Sequence, residues 1–439
     1  MERKTKHLIV ISFDALSTLD FDYISSLPNF KKFLEKAAYC KQVRSTYPTL
    51  TYPAHTTIIT GRSPKNHGII NNTLLQPKRK KPDWYWYKRY IKGKTVYDQA
   101  SEKGMRVASI LWPVTGRAKI DYNMPEIFAN RPWKNQIMVS LLSGTLLYQY
   151  KLNKLFGHLR RGTIQPELDN FAHESLLYTL KRYRPDLTLV HFVDLDWQRH
   201  EYGFESLQAT EALHRHDQRL GEIVQMLEEE NMYKDSTLIL LGDHSTLNVS
   251  KVICLNSIFK REGYLHISRG KIKDWQVIAK SCSGSSYVYI KDKQLIPGVE
   301  KLLYALAQDK KNGIEKVFLR NEAKELGADS NCDFMLEGQL GYYFSDDVEQ
   351  ELVREVGMDS ESRIKGDILG AHGYSPEKPD YSTVFMMAGQ GVRPNVTLDQ
   401  MSLLDEAATM GYLLGFEMEQ SEGRILKEFL WCNTRKEYK

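Results

Sequence analysis

The chain has 439 residues, ordinary apolar and charged content, and a formal net charge of +5. That length holds one large α/β domain with an insertion, or two domains, and so small a charge excess does not by itself argue for a nucleic-acid or membrane partner. Five cysteines, Cys40, Cys254, Cys282, Cys332 and Cys432, are scattered without C-x-x-C spacing; an odd number without a framework suits a reducing compartment, so the expected location is cytoplasmic.

Basic residues ahead of an apolar run at 8–13 imitate a signal peptide, but the run is short and stops at Asp14, which reads as a buried first strand. A helical pattern over 27–38 follows, then the stretch S-T-Y-P-T-L-T-Y-P-A-H-T-T-I-I-T-G at 45–61. Pro48 and Pro53 predict an exposed, rigid connection over 47–52 and a short helix from Ala54 ending at Gly61. Thr51 then sits just before a helix N-terminus, where a hydroxyl serves either as a cap or as a nucleophile. The basic run Lys78 to Lys81, followed by P-D-W-Y-W-Y-K-R-Y, combines charge and aromatics; the modest net charge favours a solvated loop over a nucleic-acid surface. The apolar window 137–147 contains Ser and Gly and reads as core or cap helix, inside a cap-like helical insertion over about 131–168. No stretch reaches the roughly 18 apolar residues of a membrane span.

Two further runs repeat the first: 187–193 ends at Asp194 and Asp196, and 236–241 ends at Gly242 and Asp243. Continuous apolar runs of this length suit strands buried on both faces, and helical patterns over 96–103, 170–183 and 207–230 alternate with them. The fold class is therefore α/β: a doubly wound, mostly parallel sheet with helices on both faces. Ligands in such sheets bind beyond the carboxyl ends of the strands, where these acids lie. The stretch 264–359 has its own strand (285–290) and helix (299–309) signals, giving a core of 1–263 and 360–439 with a smaller inserted α/β subdomain at 264–359.

Chemistry emerges when the acids are read with their histidines. Asp196 and His200 stand four apart in D-W-Q-R-H, Asp243 and His244 are adjacent in L-G-D-H-S, and His372 lies between glycine-permitted turns in L-G-A-H-G-Y. A lone histidine is an ordinary core or surface residue, but three Asp/His groups at turns make a metal site, and mixed carboxylate and imidazole ligands suit Zn²⁺ or Mn²⁺ better than Ca²⁺.

The segments I-S-F-D-A, P-T-L-T-Y-P-A-H, T-G-R-S-P-K-N-H-G-I-I-N-N, D-W-Q-R-H, G-D-H and A-H-G-Y occur in the order found in nucleotide pyrophosphatase/phosphodiesterases. The chain resembles that family, a branch of the alkaline phosphatase superfamily, from Leu8 to about Phe416. The resemblance implies a hydrolase of phosphodiester or pyrophosphate bonds in small nucleotide-type substrates rather than nucleic-acid polymers, with two divalent ions, Zn²⁺ foremost and Mn²⁺ as the alternative. It implies one ion held by Asp14, Asp243, His244 and the hydroxyl of the nucleophile Thr51, and a second held by Asp196, His200 and His372. Asn72 would bind a phosphoryl oxygen together with the Thr51 backbone N–H, Tyr52 would stack on a nucleobase, and Trp112 with Pro113 matches a W-P segment near the leaving group. The resemblance also implies a phosphoryl-threonine intermediate; with no general base beside Thr51 in sequence, a directly bound cation would stabilise its alkoxide.

The sequence departs from the pattern in P-A-H for the usual P-N-H, in Ser245 for the usual glycine, and in Arg62 for an apolar residue. Arg62 near the phosphate would favour a monoester; facing solvent it would do nothing of the kind. A sulfatase is disfavoured because its nucleophile lies in C/S-x-P-x-R, whereas this chain has Thr51 and His55. The remaining alternatives are a phosphomonoesterase or metal-dependent phosphomutase using the same ions, and a catalytically silent metal- or nucleotide-binding protein. Sequence leaves the oligomeric state open.

Overall fold

The computed structural model describes residues 1–268, 271–357 and 361–431; Cys432, and Asp359 at the expected end of the inserted stretch, lie outside them. Its central sheet contains β1 (His7–Phe13), β2 (Ala38–Arg44), β3 (Val107–Ile110), β4 (Tyr122–Met124), β5 (Leu187–Phe192), β6 (Ser236–Leu241), β7 (Thr383–Gly389), β8 (Val396–Leu398) and β9 (Met401–Ser402). They lie in the order β8–β2–β7–β6–β1–β5–β3–β4, with β9 beside β2. β7 runs antiparallel to β2 and β6, and the other pairings are parallel.

Adjacent strands β6, β1 and β5 are buried along their whole length, so both faces must be apolar and the sequence reads as an unbroken run. Leu8 and Val10 point into one core with Ile58 and Ile59 of helix α1 (Thr51–Thr60). Ile9, Ile11 and Phe13 point into the other core, against Phe171 and Leu176 of the helix Glu167–Tyr183. The helix α2 (Asp194–Tyr202) follows β5 directly, α3 (Leu207–Glu229) packs on the second face, and α4 (Leu404–Leu414) packs against α1 on the first. Helices therefore cover both faces, as the alternating pattern predicted.

The stretch around Thr51 differs from the expectation. Residues 45–60 are buried rather than exposed, and the helix begins at Thr51 rather than Ala54. Pro53 is the third helical residue, where a missing N–H breaks no helical bond. Gly61 ends the helix with φ 65°, as expected of a residue free to turn left-handed. The helix expected over 27–38 stops at Leu34, because Ala38 already belongs to β2. The window 137–147 is not core: the helix Gln136–Leu141 buries none of its residues, and Leu147 is 77% exposed.

Beyond β6, a four-stranded antiparallel sheet orders Val277–Ser281, Ser285–Ile290, Phe334–Gly338 and Ile314–Leu319, and residues of the helix Ile296–Gln308 share its core. The strand Leu247–Ile253 pairs with Gly341–Phe344, Val353–Glu355 and Gly370–Ala371, stitching this stretch to chain on either side of it. No helix among the described residues is long and apolar enough to cross a membrane.

Candidate functional site

Asp14 is the first residue after β1, Asp243 lies two residues beyond β6, and Asp196 sits in the first turn of α2 after β5. Because these three strands are adjacent and parallel, one rim of the sheet receives all three acids. His244 follows Asp243, and His200 lies one helical turn beyond Asp196, with its Nε2 3.2 Å from Asp196 Oδ2. His372 arrives on the Gly370–Ala371 loop. Gly373 (φ 88°) holds it there, since a Cβ at that residue would lie 1.7 Å from the Cys282 carbonyl oxygen.

Two clusters result, Asp14 with Asp243 and His244, and Asp196 with His200 and His372; within each, one ligand atom per residue lies within 4.8 Å of the others. The rings of His244 and His372 stack at 3.9 Å, joining the clusters. In the first cluster, His244 Nε2 lies 3.3 Å from Asp14 Oδ1, 3.2 Å from Asp243 Oδ2 and 3.2 Å from Thr51 Oγ1. One ring nitrogen carries at most one proton and cannot satisfy three oxygens. In the second, His200 Nδ1 donates to the Gly370 carbonyl at 2.7 Å and His372 Nδ1 to the Thr49 carbonyl at 3.0 Å. Both Nε2 atoms are then lone pairs, and they face each other at 3.2 Å. Asp14 Oδ1, Asp243 Oδ2 and Asp196 Oδ1 are buried without a hydrogen-bond partner among the described residues. Converging lone pairs and orphaned carboxylate oxygens repel one another, and cations between them would reverse the sign.

The electrostatics agree. Burial, then the charge of Asp196, pushes Asp14 up to about 7 against a hydrogen bond from His191. Asp243 is raised by burial and then by Asp14. Burial, followed by repulsion from His372, holds His244 well below its ordinary value, and burial takes His372 down to about 4. Burial also opposes the charge on Asp196, but His200 and then His372 outweigh it and hold the carboxyl low. The metal-free pocket thus favours neutral imidazoles at His244 and His372 and resists ionisation of Asp14 and Asp243.

Thr51 is not a cap: Leu50 is the N-cap and no side chain caps the helix. Being the first helical residue, Thr51 instead turns its hydroxyl to the first cluster. Among the first N–H groups of α1, Ala54 donates to the Leu50 carbonyl and Tyr52 to Asn72 Oδ1 at 2.9 Å. Pro53 has none, so the Thr51 N–H is left without a partner among the described residues. Since Asn72 Oδ1 is fixed by that bond, its Nδ2 is the free donor beside Thr51.

Two expectations fail. Tyr52 is fully buried with its ring edge-on to Trp84 at 5.1 Å, and Trp112 is fully buried against His55 at 4.8 Å, so neither offers a face to a ligand. Arg62 donates to the Lys92 carbonyl at 2.9 Å, at the far end of a helix about 15 Å long. It is not beside Thr51. Ser245 is buried and bonded to Ser17 Oγ at 2.8 Å.

Other residues of the site escaped the sequence reading. His191, on β5, sets its Nε2 3.0 Å from Asp14 Oδ2, and its Nδ1 lies 3.5 Å from Glu126 Oε2. His55 donates from Nδ1 to the Thr51 carbonyl at 2.8 Å, and its Nε2 lies 2.9 Å from Ser12 Oγ, locking the first turn of α1 onto β1. The available signal for His191 was a histidine interrupting an otherwise apolar strand.

The chain is 26% identical over 263 residues to human ectonucleotide pyrophosphatase/phosphodiesterase family member 1, covering 57% of this chain and 24% of that protein. It is also 26% identical over 255 residues to venom phosphodiesterase 2 of Crotalus adamanteus, covering 55% and 27%. It thus spans about a quarter of the length of these relatives. Among solved structures, murine ectonucleotide pyrophosphatase/phosphodiesterase 5 superposes with a TM-score of 0.65 at 19% identity, covering 94% of this chain and 96% of that one. The doubly wound architecture is shared with that protein. Matching its family pattern across residues 8–375, the chain belongs to the type I phosphodiesterase / nucleotide pyrophosphatase family.

Proposed function

We propose that this protein is a metal-dependent hydrolase of phosphodiester or pyrophosphate bonds in nucleotide-type substrates, with Thr51 as the nucleophile. One observation carries the reading: Thr51 Oγ1, Asp14 and Asp243 converge on a single nitrogen of His244 while the facing carboxylate oxygens have no partner. The donor set fits two divalent cations, Zn²⁺ foremost and Mn²⁺ as the alternative, held by Asp14, Asp243, His244 and Thr51 in one position and by Asp196, His200 and His372 in the other. When bound, such ions favour the alkoxide of the nucleophile and offset charge on the leaving oxygen.

The chain's own groups do the rest. Thr51 Oγ1 forms a bond to phosphorus as the bond to the leaving oxygen breaks, and the Thr51 proton is lost to solvent. Water then attacks the phosphoryl-threonine from the opposite side, the Thr51 Oγ1–phosphorus bond breaks, and the hydroxyl is regenerated. Asn72 Nδ2 and the Thr51 N–H, both free donors, hold non-bridging oxygens as charge shifts onto them. His191 and the Gly370 and Thr49 carbonyls orient ligands from behind.

The likeness to a nucleotide pyrophosphatase and a venom phosphodiesterase supports the substrate class, as does an inactive threonine-to-alanine form of the murine protein in complex with AMP. With Arg62 tied to the Lys92 carbonyl, that arginine gives no support to a monoester reading. Four free, buried cysteines, Cys40, Cys254, Cys282 and Cys332, support a reducing compartment, and the antiparallel sheet within 264–359 supports an inserted subdomain. The test compares hydrolysis of a nucleotide aryl phosphodiester with that of an aryl monophosphate. The diester is expected to be preferred, and a strong preference for the monoester would overturn the assignment.

A further inference from the structure

The segment 131–162, which leaves the sheet just after β4, carries an apolar face that none of the described residues covers. Trp133 is 79% exposed and Leu147 77%, and Ile137, Met138, Leu142 and Leu146 are exposed with them. These are not ends of core side chains. The helix Leu146–Phe156 buries Tyr148 and Leu152, one turn apart, against the body of the protein and turns Leu146, Leu147 and Tyr150 outward. The preceding helix Gln136–Leu141 buries nothing. Contiguous exposed aliphatic and indole surface of this kind marks an interaction site.

The charge carried by this segment has one sign. Residues 131–162 contain six Lys or Arg and no Asp or Glu, in a chain whose whole net charge is +5. Lys134, Lys151 and Lys154 are exposed and make no ion pair among the described residues. The basic run Lys78 to Lys81, also exposed, meets the start of this segment: Arg131 donates to the Lys81 carbonyl at 2.8 Å and pairs with Asp83, and Asn130 donates to the Pro82 carbonyl at 3.1 Å. Two basic stretches far apart in sequence therefore meet at Arg131, where the apolar segment begins.

We propose that this face docks on an anionic membrane surface, with Trp133, Leu142, Leu146 and Leu147 entering the headgroup region and the lysines facing acidic lipid. Leucine, isoleucine and tryptophan beside lysine make an interfacial helix, whereas a single-stranded nucleic acid would be met by a row of aromatic platforms. The helix is anchored for the task, since Thr145 donates from its N–H to the Asn123 carbonyl at 2.9 Å and from its hydroxyl to Ile120 at 3.1 Å, on β4 and the residues before it. β4 runs parallel with β3 and β5, so the docking segment leaves the sheet at the rim that bears Asp14 and Asp196.

The test is co-sedimentation of the full-length, Zn²⁺-loaded protein with vesicles of phosphatidylcholine and phosphatidylserine, or of phosphatidylcholine alone, at low and high salt. Binding is expected only with phosphatidylserine and is expected to fall as salt rises. Replacing Lys151 or Lys154 by glutamine should weaken it about fivefold each, and Leu146→Glu with Leu147→Glu by at least about tenfold. The leucine variants should keep the wild-type unfolding midpoint and turnover of a soluble aryl phosphodiester, because the substituted side chains are exposed. No sedimentation with either vesicle, or undiminished binding by the leucine variant, would overturn the proposal. So would a solution dimer that Leu147→Glu disperses and that ignores vesicles, or a preference for oligonucleotide over lipid. Sedimentation is read without reference to catalysis, so it stands or falls apart from the phosphodiesterase reading.

Discussion

Replacing Asp14 by Asn should have opposite effects on stability with and without metal. In the metal-free protein, burial and the charge of Asp196 raise this carboxyl from 3.8 to about 7. A folded-state value above the unfolded one means that the folded chain binds the proton more tightly. The associated stability is present in full below the unfolded value and is lost as pH rises through the folded value. The difference of about three pH units corresponds to at most about 4 kcal/mol against the folded state above neutrality. Asparagine has nearly the same shape and cannot ionise, so chelator-treated Asp14→Asn should be more stable than chelator-treated wild type at about pH 8, and the two should converge near pH 4. With Zn²⁺ the order should invert, because the wild type gains the binding energy of the ion and the variant loses a ligand. Denaturant titrations of both proteins, apo and loaded, at the two pH values would show this. A metal-free Asp14→Asn protein no more stable than wild type at the higher pH would refute the reasoning.

Metal analysis of single variants should separate the clusters: Asp14→Ala and Asp243→Ala should each lose the same ion, and His372→Ala the other. Loss of both ions from all three, or retention at the first site in Asp14→Ala, would show that the ligand grouping is wrong. Thr51→Ala should retain metal while turnover falls by at least about a thousandfold, as expected when a covalent nucleophile is removed; unchanged turnover in metal-replete protein would remove Thr51 from the mechanism. Asn72→Ala should lower kcat by about a hundredfold with metal content unchanged, because it deletes one donor to a developing charge; a change confined to KM would assign Asn72 to ground-state binding. Zn²⁺ affinity should fall below about pH 7, by up to tenfold per pH unit, as Asp14 takes up the proton that the ion must displace. Calorimetry in buffers of different ionisation enthalpy would count that proton.

The parts of the fold written locally could be read from sequence. β1, β5 and β6 are buried on both faces, and continuous apolar runs ending at Asp14, Asp194 and Gly242 exposed them. The six Asp and His residues now in two clusters were identified because each lies at a strand end or one turn beyond it, where side-chain direction follows from the chain itself. The start of the helix at Thr51 was less legible, because two prolines suggest an extended stretch up to Ala54, whereas Pro53 sits in the one turn of a helix that tolerates it. The failures share a cause. Whether Tyr52 and Trp112 face a ligand or the core depends on Trp84 and His55, neither of which any local pattern places beside them. The contact of His191 with Asp14 spans 177 positions, and the pairing of the 78–81 run with the 131–162 face depends on Arg131 meeting Lys81 and Asp83. Both are products of tertiary packing alone.

The central claim, that two clusters of Asp and His make Thr51 a nucleophile toward phosphodiesters, is tested most directly by hydrolysis of a nucleotide aryl phosphodiester before and after removal of bound metal. Activity should vanish in protein verified to be metal-free and return on addition of Zn²⁺ or Mn²⁺, with Thr51→Ala silent throughout. Undiminished hydrolysis by the metal-free protein would contradict it.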